Sequence, residues 1–390
     1  MYNMLIAVNT RFLIKDKLEG IGWFTYETMK RLTRNHPEHH FLFLFDRDWD
    51  PEFIFSDNIT PVKVWPPARH PYLWKYWFDT ALPRIFKKYK PDLFISTDGM
   101  MSLAVNVPTV LVVHDLAYIE FPHHIPRLTY EYLKHFTPKY LSKADAIITV
   151  SDYSKKDIID KYQIADSKID VVANGASDNF KPLDEVNRSI VKQKISSGSE
   201  YFIYVGSIHP RKNVGMLMKA YDQLRAEGIC DHKLVIVGRY AWKSGETYNI
   251  YKSMQFIDDV IFTGSMNQEQ LTEAIGAADA LVYPSLFEGF GIPVLEARYA
   301  GVPVICSNSS SLPEVGGEHA IYFDPNSAEA ITTAMVQFLK NRAELKRNAL
   351  ESAYEARNIY NWDNSANKIY SIMQATYDNY RANRKYTANT

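Results

Sequence analysis

Two cysteines in 390 residues, Cys230 and Cys306, exclude a disulfide framework, and so few thiols suit a reducing compartment. No stretch of about 20 apolar residues occurs, so no helix is expected to span a bilayer. The opening residues MYNMLIAVNTRFL lack a positively charged start, and Asn9 and Arg11 break their apolar run. They read as a first buried strand rather than a signal peptide. Charge of one sign is lacking too. Lys and Arg number 44 against 45 Asp and Glu, a formal net charge of -1, which removes the field a nucleic-acid binder needs. The loop G-x-x-x-x-G-K-[ST] is absent, which argues against a P-loop ATPase. A cytoplasmic protein with no nucleic-acid partner is what these absences leave.

What is present is an ordinary globular composition, 46% hydrophobic and 23% charged, in a chain long enough for roughly two domains of about 150–200 residues. Aromatic residues reach 14%, with 26 tyrosines, a surplus that suits a surface handling sugars or a membrane interface. Short apolar runs alternate with amphipathic stretches, the pattern of α/β architecture with parallel sheets. Leu5–Val8, Phe41–Phe45, Leu93–Ser96, Val110–Val113 and Ala146–Val150 read as strands, Gly22–Leu32 and Lys155–Tyr162 as helices. A second series opens near position 200 with strands Tyr201–Val205, Lys233–Val237, Val260–Thr263, Ala280–Tyr283 and Pro303–Cys306. Helices Val214–Glu227, Asn267–Ala277 and Ile292–Ala300 fit between them. The segment from Val171 to Gly198, with Asn174-Gly175 and Pro182, reads as a linker, and Asn361–Asn383 as a closing helix. Ligands of such sheets sit beyond the carboxyl ends of the strands, so two tandem units imply a shared cleft.

The sequence Glu288-Gly-Phe-Gly-Ile-Pro-Val-Leu-Glu296 follows the strand Ala280–Tyr283. Pro293 suits the first turn of a helix, and Gly289 and Gly291 let backbone approach a ligand closely at its start. A helix start offers unpaired N–H groups to an anion, so a phosphate-bearing ligand fits. The carboxylates of Glu288 and Glu296 are then better suited to binding hydroxyls on either side of a diphosphate. After Tyr201–Val205 comes Gly206-Ser207-Ile208-His209-Pro210-Arg211-Lys212-Asn213, a strand-to-helix turn with two cations. Each cation about 4 Å from a phosphate oxygen contributes roughly 4 kcal/mol at an effective dielectric near 20, before desolvation. In the first half, Gly20 and Gly22 lie between the first strand and helix, and His114-Asp115 follows a strand end. Each of these features has a bland alternative: a capped helix, a solvated basic turn, a plain glycine turn, a structural histidine.

Together the motifs resemble group 1 glycosyltransferases, the retaining family 4 type with the GT-B fold. The resemblance rests on EGFGIPVLE followed by ARYAGVPVICSNSSSLPEVGG, and on GIGWFTYETMKRL, VVHDL, ADAIITVSDYSKKDI, VVANGASDNF, YVGSIHPRKN and LVIVG in that order. It runs from about Arg11 to Pro325, with NWDNSANKIY similar to the closing helix. It implies two Rossmann-like domains facing across a cleft, residues 1–182 plus 362–390 on the acceptor side and 183–361 binding the nucleotide sugar. By position it places Glu296 on the ribose hydroxyls, Glu288 at the donor sugar's reacting face and Lys212 on the diphosphate. Backbone at Phe290, Gly291 and Ile292 would meet sugar and phosphate, His114 would lie close to the transferred sugar, and Gly20 and Gly22 would face the diphosphate. Many members carry arginine where this chain has Ser207, so Arg211 is expected to supply that charge. The base would sit near Arg239 and the turn Gly264-Ser265-Met266, largely on backbone.

The activity so implied is hexosyl transfer from a nucleotide sugar to a glycan or lipid-linked acceptor, with retention and with no metal or other cofactor. The His-Pro-Arg-Lys-Asn variant leans toward GDP-mannose, and the relatives so resembled are bacterial mannosyltransferases of surface polysaccharide and lipopolysaccharide synthesis. Basic and aromatic residues interleaved over 72–90 suit peripheral contact with an anionic membrane face. The rival readings are an epimerase or glycogen-type synthase of the same fold, a metal-dependent transferase using Asp46-Arg47-Asp48, and a non-catalytic nucleotide-sugar-binding protein.

Overall fold

The structure, a computed structural model, describes residues 3–239 and 245–388, without the side chains of the last four. It divides into two units, residues 1–174 with 362–390, and residues 175–361. The first holds β1 (Leu5–Asn9), β2 (His40–Phe45), β3 (Ile59–Lys63), β4 (Leu93–Ser96), β5 (Thr109–Val112), β6 (Ala146–Thr149) and β7 (Ile169–Val171). They form one parallel sheet ordered β3-β2-β1-β4-β5-β6-β7. The second holds β8 (Tyr201–Val205), β9 (Lys233–Val237), β10 (Val260–Gly264), β11 (Ala280–Tyr283), β12 (Val304–Ser307) and β13 (Ile321–Phe323), a parallel sheet ordered β10-β9-β8-β11-β12-β13. Central strands are apolar on both faces, as parallel sheets covered by helices require: Phe202, Ile203 and Tyr204 are fully buried, as are Ile6, Ala7 and Val8.

Strand order reverses between β1 and β4 in one sheet and between β8 and β11 in the other. Helices leave the sheet on opposite faces at such a point, which opens a crevice at the carboxyl ends of the two strands. The loops after β8 and β11 carry the cationic turn and the EGFG sequence, so both motifs fall at the second unit's switch point.

Several expectations shift. The first helix is Gly20–Asn35, so Gly20 and Gly22 belong to its first turn rather than to a loop before it. At Gly22 a Cβ would stand 2.8 Å from the Phe12 carbonyl, so glycine there lets the loop after β1 lie on the helix. The helix expected from Lys155 begins at Asp152, where the Ser151 hydroxyl accepts from the Ser154 N–H. The expected linker is not all linker: Glu185–Ser196 is a helix capped by Asp184. The boundary accordingly falls at 174/175, ahead of the expected 182/183. Arg357 donates to the Phe180 carbonyl, and Leu183 and Pro182 lie against Gly276 and Gly301, so 175–183 pack with the second unit. The closing helix, Trp362–Ala388, lies in the first unit. There Trp362 meets Phe24 edge-on at 6.2 Å and Tyr370 shares a 2.9 Å hydrogen bond with His39.

The carboxyl ends of β8, β9 and β10 are backbone against backbone. The Gly206 N–H donates to the Val237 carbonyl (2.9 Å) and the Gly238 N–H to the Gly264 carbonyl (3.0 Å). At Gly238, φ is +155° and a Cβ would sit 1.9 Å from the Gly206 oxygen, with no flexible side chain to give way. Gly228, at φ +66°, faces open space. Gly228→Ala is therefore expected to cost about 1–2 kcal/mol, the left-handed penalty alone, and Gly238→Ala more than about 3 kcal/mol. Urea unfolding of the two variants checks the ranking.

Candidate active site

β8 ends at Val205 and the chain turns at Gly206 past a buried tyrosine, whose hydroxyl donates to the Ser207 carbonyl (Tyr204, 3.1 Å). The turn Pro210–Lys212 closes on Asn213, at φ +59°, whose side chain donates to the Pro325 carbonyl at 2.7 Å. The turn is stitched to the loop after β11: Leu286 N–H donates to the Arg211 carbonyl at 2.9 Å, and Arg211 returns a bond to the Phe287 carbonyl.

Lys212 Nζ donates to Glu288 Oε1 at 2.6 Å and to the Tyr283 hydroxyl at 2.9 Å. Tyr283 donates in turn to Glu288 Oε1 at 3.0 Å, and Arg211 stands 3.4 Å from Oε2. The Glu288 side chain is 10% exposed and that of Lys212 14%. Burial alone would raise this carboxyl, but Lys212 first and Arg211 next overcome it, and the group is held down at about 2.

Serines fix the backbone around this cluster. The Glu288 N–H donates to Ser310 Oγ at 2.8 Å, and Ser311 Oγ bonds the carbonyls of both Glu288 and Phe290 at 2.9 Å. Ser309 Oγ donates to the Ser285 carbonyl at 2.9 Å. The Phe290 ring is buried edge-on against Tyr360, leaving its backbone to serve the loop. Gly291, at φ +106°, turns the chain into the helix Ile292–Tyr299, which has no side-chain cap. One turn on, Glu296 is half-buried, and its carboxylate has no hydrogen-bond or ion-pair partner among the described residues. Burial pushes it up to about 8.

Of the predicted residues, the structure brings Arg211, Lys212 and Glu288 into direct contact and sets Phe290, Gly291, Ile292 and Glu296 on the same loop and helix. Exposed Ser207 follows β8, exposed Arg239 follows β9, and half-buried Met266 follows β10, all at one edge of the sheet. Gly20, Gly22 and His114 belong to the first unit. His114 Nε2 lies 2.9 Å from the Thr97 carbonyl. A carbonyl only accepts, so Nε2 carries the proton and Nδ1 is the acceptor. Burial lowers the ring's pKa, which keeps it neutral.

Tyr283, Tyr204, Ser310 and Ser311 escaped the sequence reading. The available signal was a tyrosine at the end of a buried strand, whose hydroxyl must find a partner. The rival metal reading of Asp46 and Asp48 meets a different geometry: Asp46 is buried, paired with Arg47 and accepting from the Ala68 N–H, while Asp48 pairs with Lys63.

Residues 18–180 match the family described as Glycosyltransferase Family 4, and residues 186–356 that described as Glycosyl transferases group 1. O-antigen chain mannosyltransferase B of Escherichia coli is 30% identical over 256 residues, 65% of this chain and 67% of that one. The serotype-specific mannosyltransferase WbdA of E. coli is 31% identical over 286 residues, 67% of this chain but 33% of that longer protein. Among solved structures, sucrose-phosphate synthase from Thermosynechococcus elongatus superposes with a TM-score of 0.79 at 18% identity, over 96% of this chain and 100% of that one. WaaG, a glycosyltransferase involved in lipopolysaccharide biosynthesis, gives 0.75 at 17% identity, over 94% and 99%. The two parallel-sheet units thus have the GT-B fold, and the chain belongs to the group 1 glycosyltransferases. It is an enzyme of the glycosyltransferase class.

The Glu288 cluster makes an acid-stability prediction. Its folded value near 2, against an ordinary 4.5, gives stability that is fully present above the ordinary value and lost as pH falls toward 2. The loss is expected to be about 3 kcal/mol. Urea unfolding at stepped acid pH checks it: Glu288→Gln should be less stable near neutrality and show a flatter acid limb.

Proposed function

We propose that this chain moves a hexose from a nucleotide diphosphate sugar to a glycan or lipid-linked acceptor in surface-polysaccharide synthesis, with retention of configuration and without a metal. Mannose and GDP-mannose are the favoured sugar and donor. One observation carries the reading: two cations are gathered on a buried carboxylate at a sheet switch point, beside a helix start and a second carboxyl that has no partner among the described residues. A diphosphate fits the cations and helix start, and ribose hydroxyls fit Glu296. The preference for mannose rests on the O-antigen and serotype-specific mannosyltransferases among the relatives.

In the step proposed, the bond between the anomeric carbon and the phosphate oxygen breaks, and its electron pair leaves with the diphosphate. The acceptor hydroxyl bonds that carbon on the same face, and its proton passes to the departing diphosphate. Lys212 and Arg211 hold the developing charge, so the metal's usual task is already filled. Glu288 orients the cations and meets the sugar's reacting face, Phe290, Gly291 and Ile292 offer backbone N–H groups, and His114 Nδ1 accepts from a sugar hydroxyl. Ser207, Arg239 and Met266 lie along the base and diphosphate, and Gly20 and Gly22 allow a close backbone approach to it. Incubation with GDP-mannose, UDP-glucose and ADP-glucose, with and without EDTA, tests the reading. Transfer from GDP-mannose in EDTA, giving a product of the donor's anomeric configuration by proton NMR, is expected. Inversion, or abolition by EDTA, would contradict it.

Glu296 adds a pH dependence. Raised to about 8, its carboxyl is largely protonated at neutral pH. Ligand hydroxyls donate best to the ionised form, so binding releases a proton. Affinity for GDP is expected to rise with pH up to about 8, by as much as about tenfold per unit, and then to level. Glu296→Gln should bind more weakly with a flat profile, as calorimetry over that range would record.

Contact with an anionic membrane surface is proposed for a narrower patch than the whole of 72–90. Trp77, Phe78 and Phe86 are core residues. Tyr72, Leu73 and Tyr76 are exposed, alongside exposed Lys75, Arg84, Lys87, Lys88 and Lys90. Apolar tips ringed by cations fit an anionic interface. No helix among the described residues is long and apolar enough to cross a membrane. Flotation with phosphatidylglycerol vesicles should recover the wild type, and exchange of Lys87, Lys88 and Lys90 for glutamate should abolish recovery.

A further inference from the structure

Many aromatic rings of the first unit lie in its core, Phe41, Phe43, Phe45 and Trp77 among them. Of the exposed ones, three share an edge. Phe12 follows β1 and is 39% exposed, Trp49 follows β2 and is 38% exposed, and Trp65 follows β3 and is 72% exposed. The three strands are parallel neighbours in register, Asn9 opposite Leu44 and Leu44 opposite Val62. All three rings therefore stand on loops at the carboxyl edge of one half of the sheet, where ligands of such sheets bind. Singly exposed hydrophobics need no explanation, but a row on a ligand-binding edge does.

The row is built. Trp49 lies between Asp48 and Asp50, and these carboxylates reach the loop that carries Phe12 and the end of the strand that precedes Trp65. Asp50 pairs with Lys15, three residues after Phe12, at 2.8 Å. Asp48 pairs with Lys63, two residues before Trp65, at 2.7 Å. Exposed pairs like these add little stability, but they fix the loops relative to one another. The backbone beneath Trp65 is pinned from inside. Trp77 Nε1 donates to the Val64 carbonyl (3.0 Å), Ala68 N–H to Asp46 (2.9 Å), and Trp74 Nε1 to the Ala68 carbonyl (2.8 Å). Asp48, 86% exposed at its side chain, also offers oxygens to a ligand.

We propose that Phe12, Trp49 and Trp65 form a stacking row for the neutral oligosaccharide part of the acceptor. The inference rests on the glycosyltransferase reading and adds the acceptor's class and its path. A pyranose presents C–H groups on one face and hydroxyls around its rim. The C–H face suits the electron-rich face of an aromatic ring, and the rim suits carboxylates. A phosphatidylglycerol headgroup offers no such face. His114, beyond β5, lies roughly 10 Å from the β1 end and roughly 19 Å from the β3 end at the spacing of neighbouring strands. The row thus reads sugars several residues back from the growing end, and an acceptor of one sugar would not reach it.

Calorimetric titration with α-linked mannotetraose and with methyl α-mannoside tests this on the wild type, Trp49→Ala, Trp65→Ala and the triple alanine variant including Phe12. The wild type should bind the tetrasaccharide and quench tryptophan emission. Each tryptophan variant should lose about tenfold or more in its affinity, Trp49→Phe should retain most of it, and binding of methyl α-mannoside should be unmoved. GDP affinity, measured on the same samples, should equal that of the wild type throughout; its failure in the wild type would sink the donor reading and not this one. Unchanged tetrasaccharide affinity in the triple variant overturns the row, as does no tetrasaccharide binding by a wild type that binds GDP. Loss of flotation with phosphatidylglycerol vesicles in the triple variant, with tetrasaccharide binding intact, would assign the rings to a membrane instead.

Discussion

The ion pair between Lys212 and Glu288 joins residues 76 positions apart and fixes the second unit's site. Without the carboxylate, Lys212 and Arg211 would repel one another at the strand end, and among the described residues the Tyr283 hydroxyl would be left to hold the ammonium of Lys212. Burying such a pair costs desolvation that the mutual attraction offsets only with further hydrogen bonds. Those bonds are supplied by Tyr283 on the side chain and by Ser310 and Ser311 on the backbone. A cluster of this kind adds little net stability and suits pre-organisation: under the proposed function the cations already stand where a diphosphate's charge would arrive.

Two glutamates of one short motif sit in opposite states for physical reasons. Glu288 is buried against cations and stays ionised; Glu296 is half-buried without a partner among the described residues and is pushed toward its protonated form. Environments that drive two titratable groups apart mark a division of labour. Here one carboxylate organises cations, and under the proposed function the other would take hydroxyl donors. Neutral His114, with Nε2 committed to Thr97, is suited to accept a hydrogen bond through Nδ1 rather than to deliver a proton.

Much of this was legible in the amino-acid order. Ten strands show as apolar runs because parallel strands are covered on both faces. The missed ones explain themselves: β3 contains Pro61, which suits only an edge, and β7 and β13 are three residues long. The helix 185–196 hid inside a polar stretch whose Val186 and Ile190 are in fact exposed. In the site, the cationic turn and the EGFG loop were readable by local chemistry, but their mutual contact was not, since it depends on β8 and β11 being neighbours. The interleaved aromatics of 72–90 read as one surface because periodicity does not tell a core ring such as Trp77 from an exposed one such as Tyr72.

The cations held by Glu288 are proposed to serve a diphosphate. Titration of GDP, and separately of guanosine, into wild type and Lys212→Met by calorimetry addresses it most directly. The variant is expected to lose at least tenfold in GDP affinity while its weak affinity for guanosine is unchanged. Equal GDP affinity in the two proteins would contradict it.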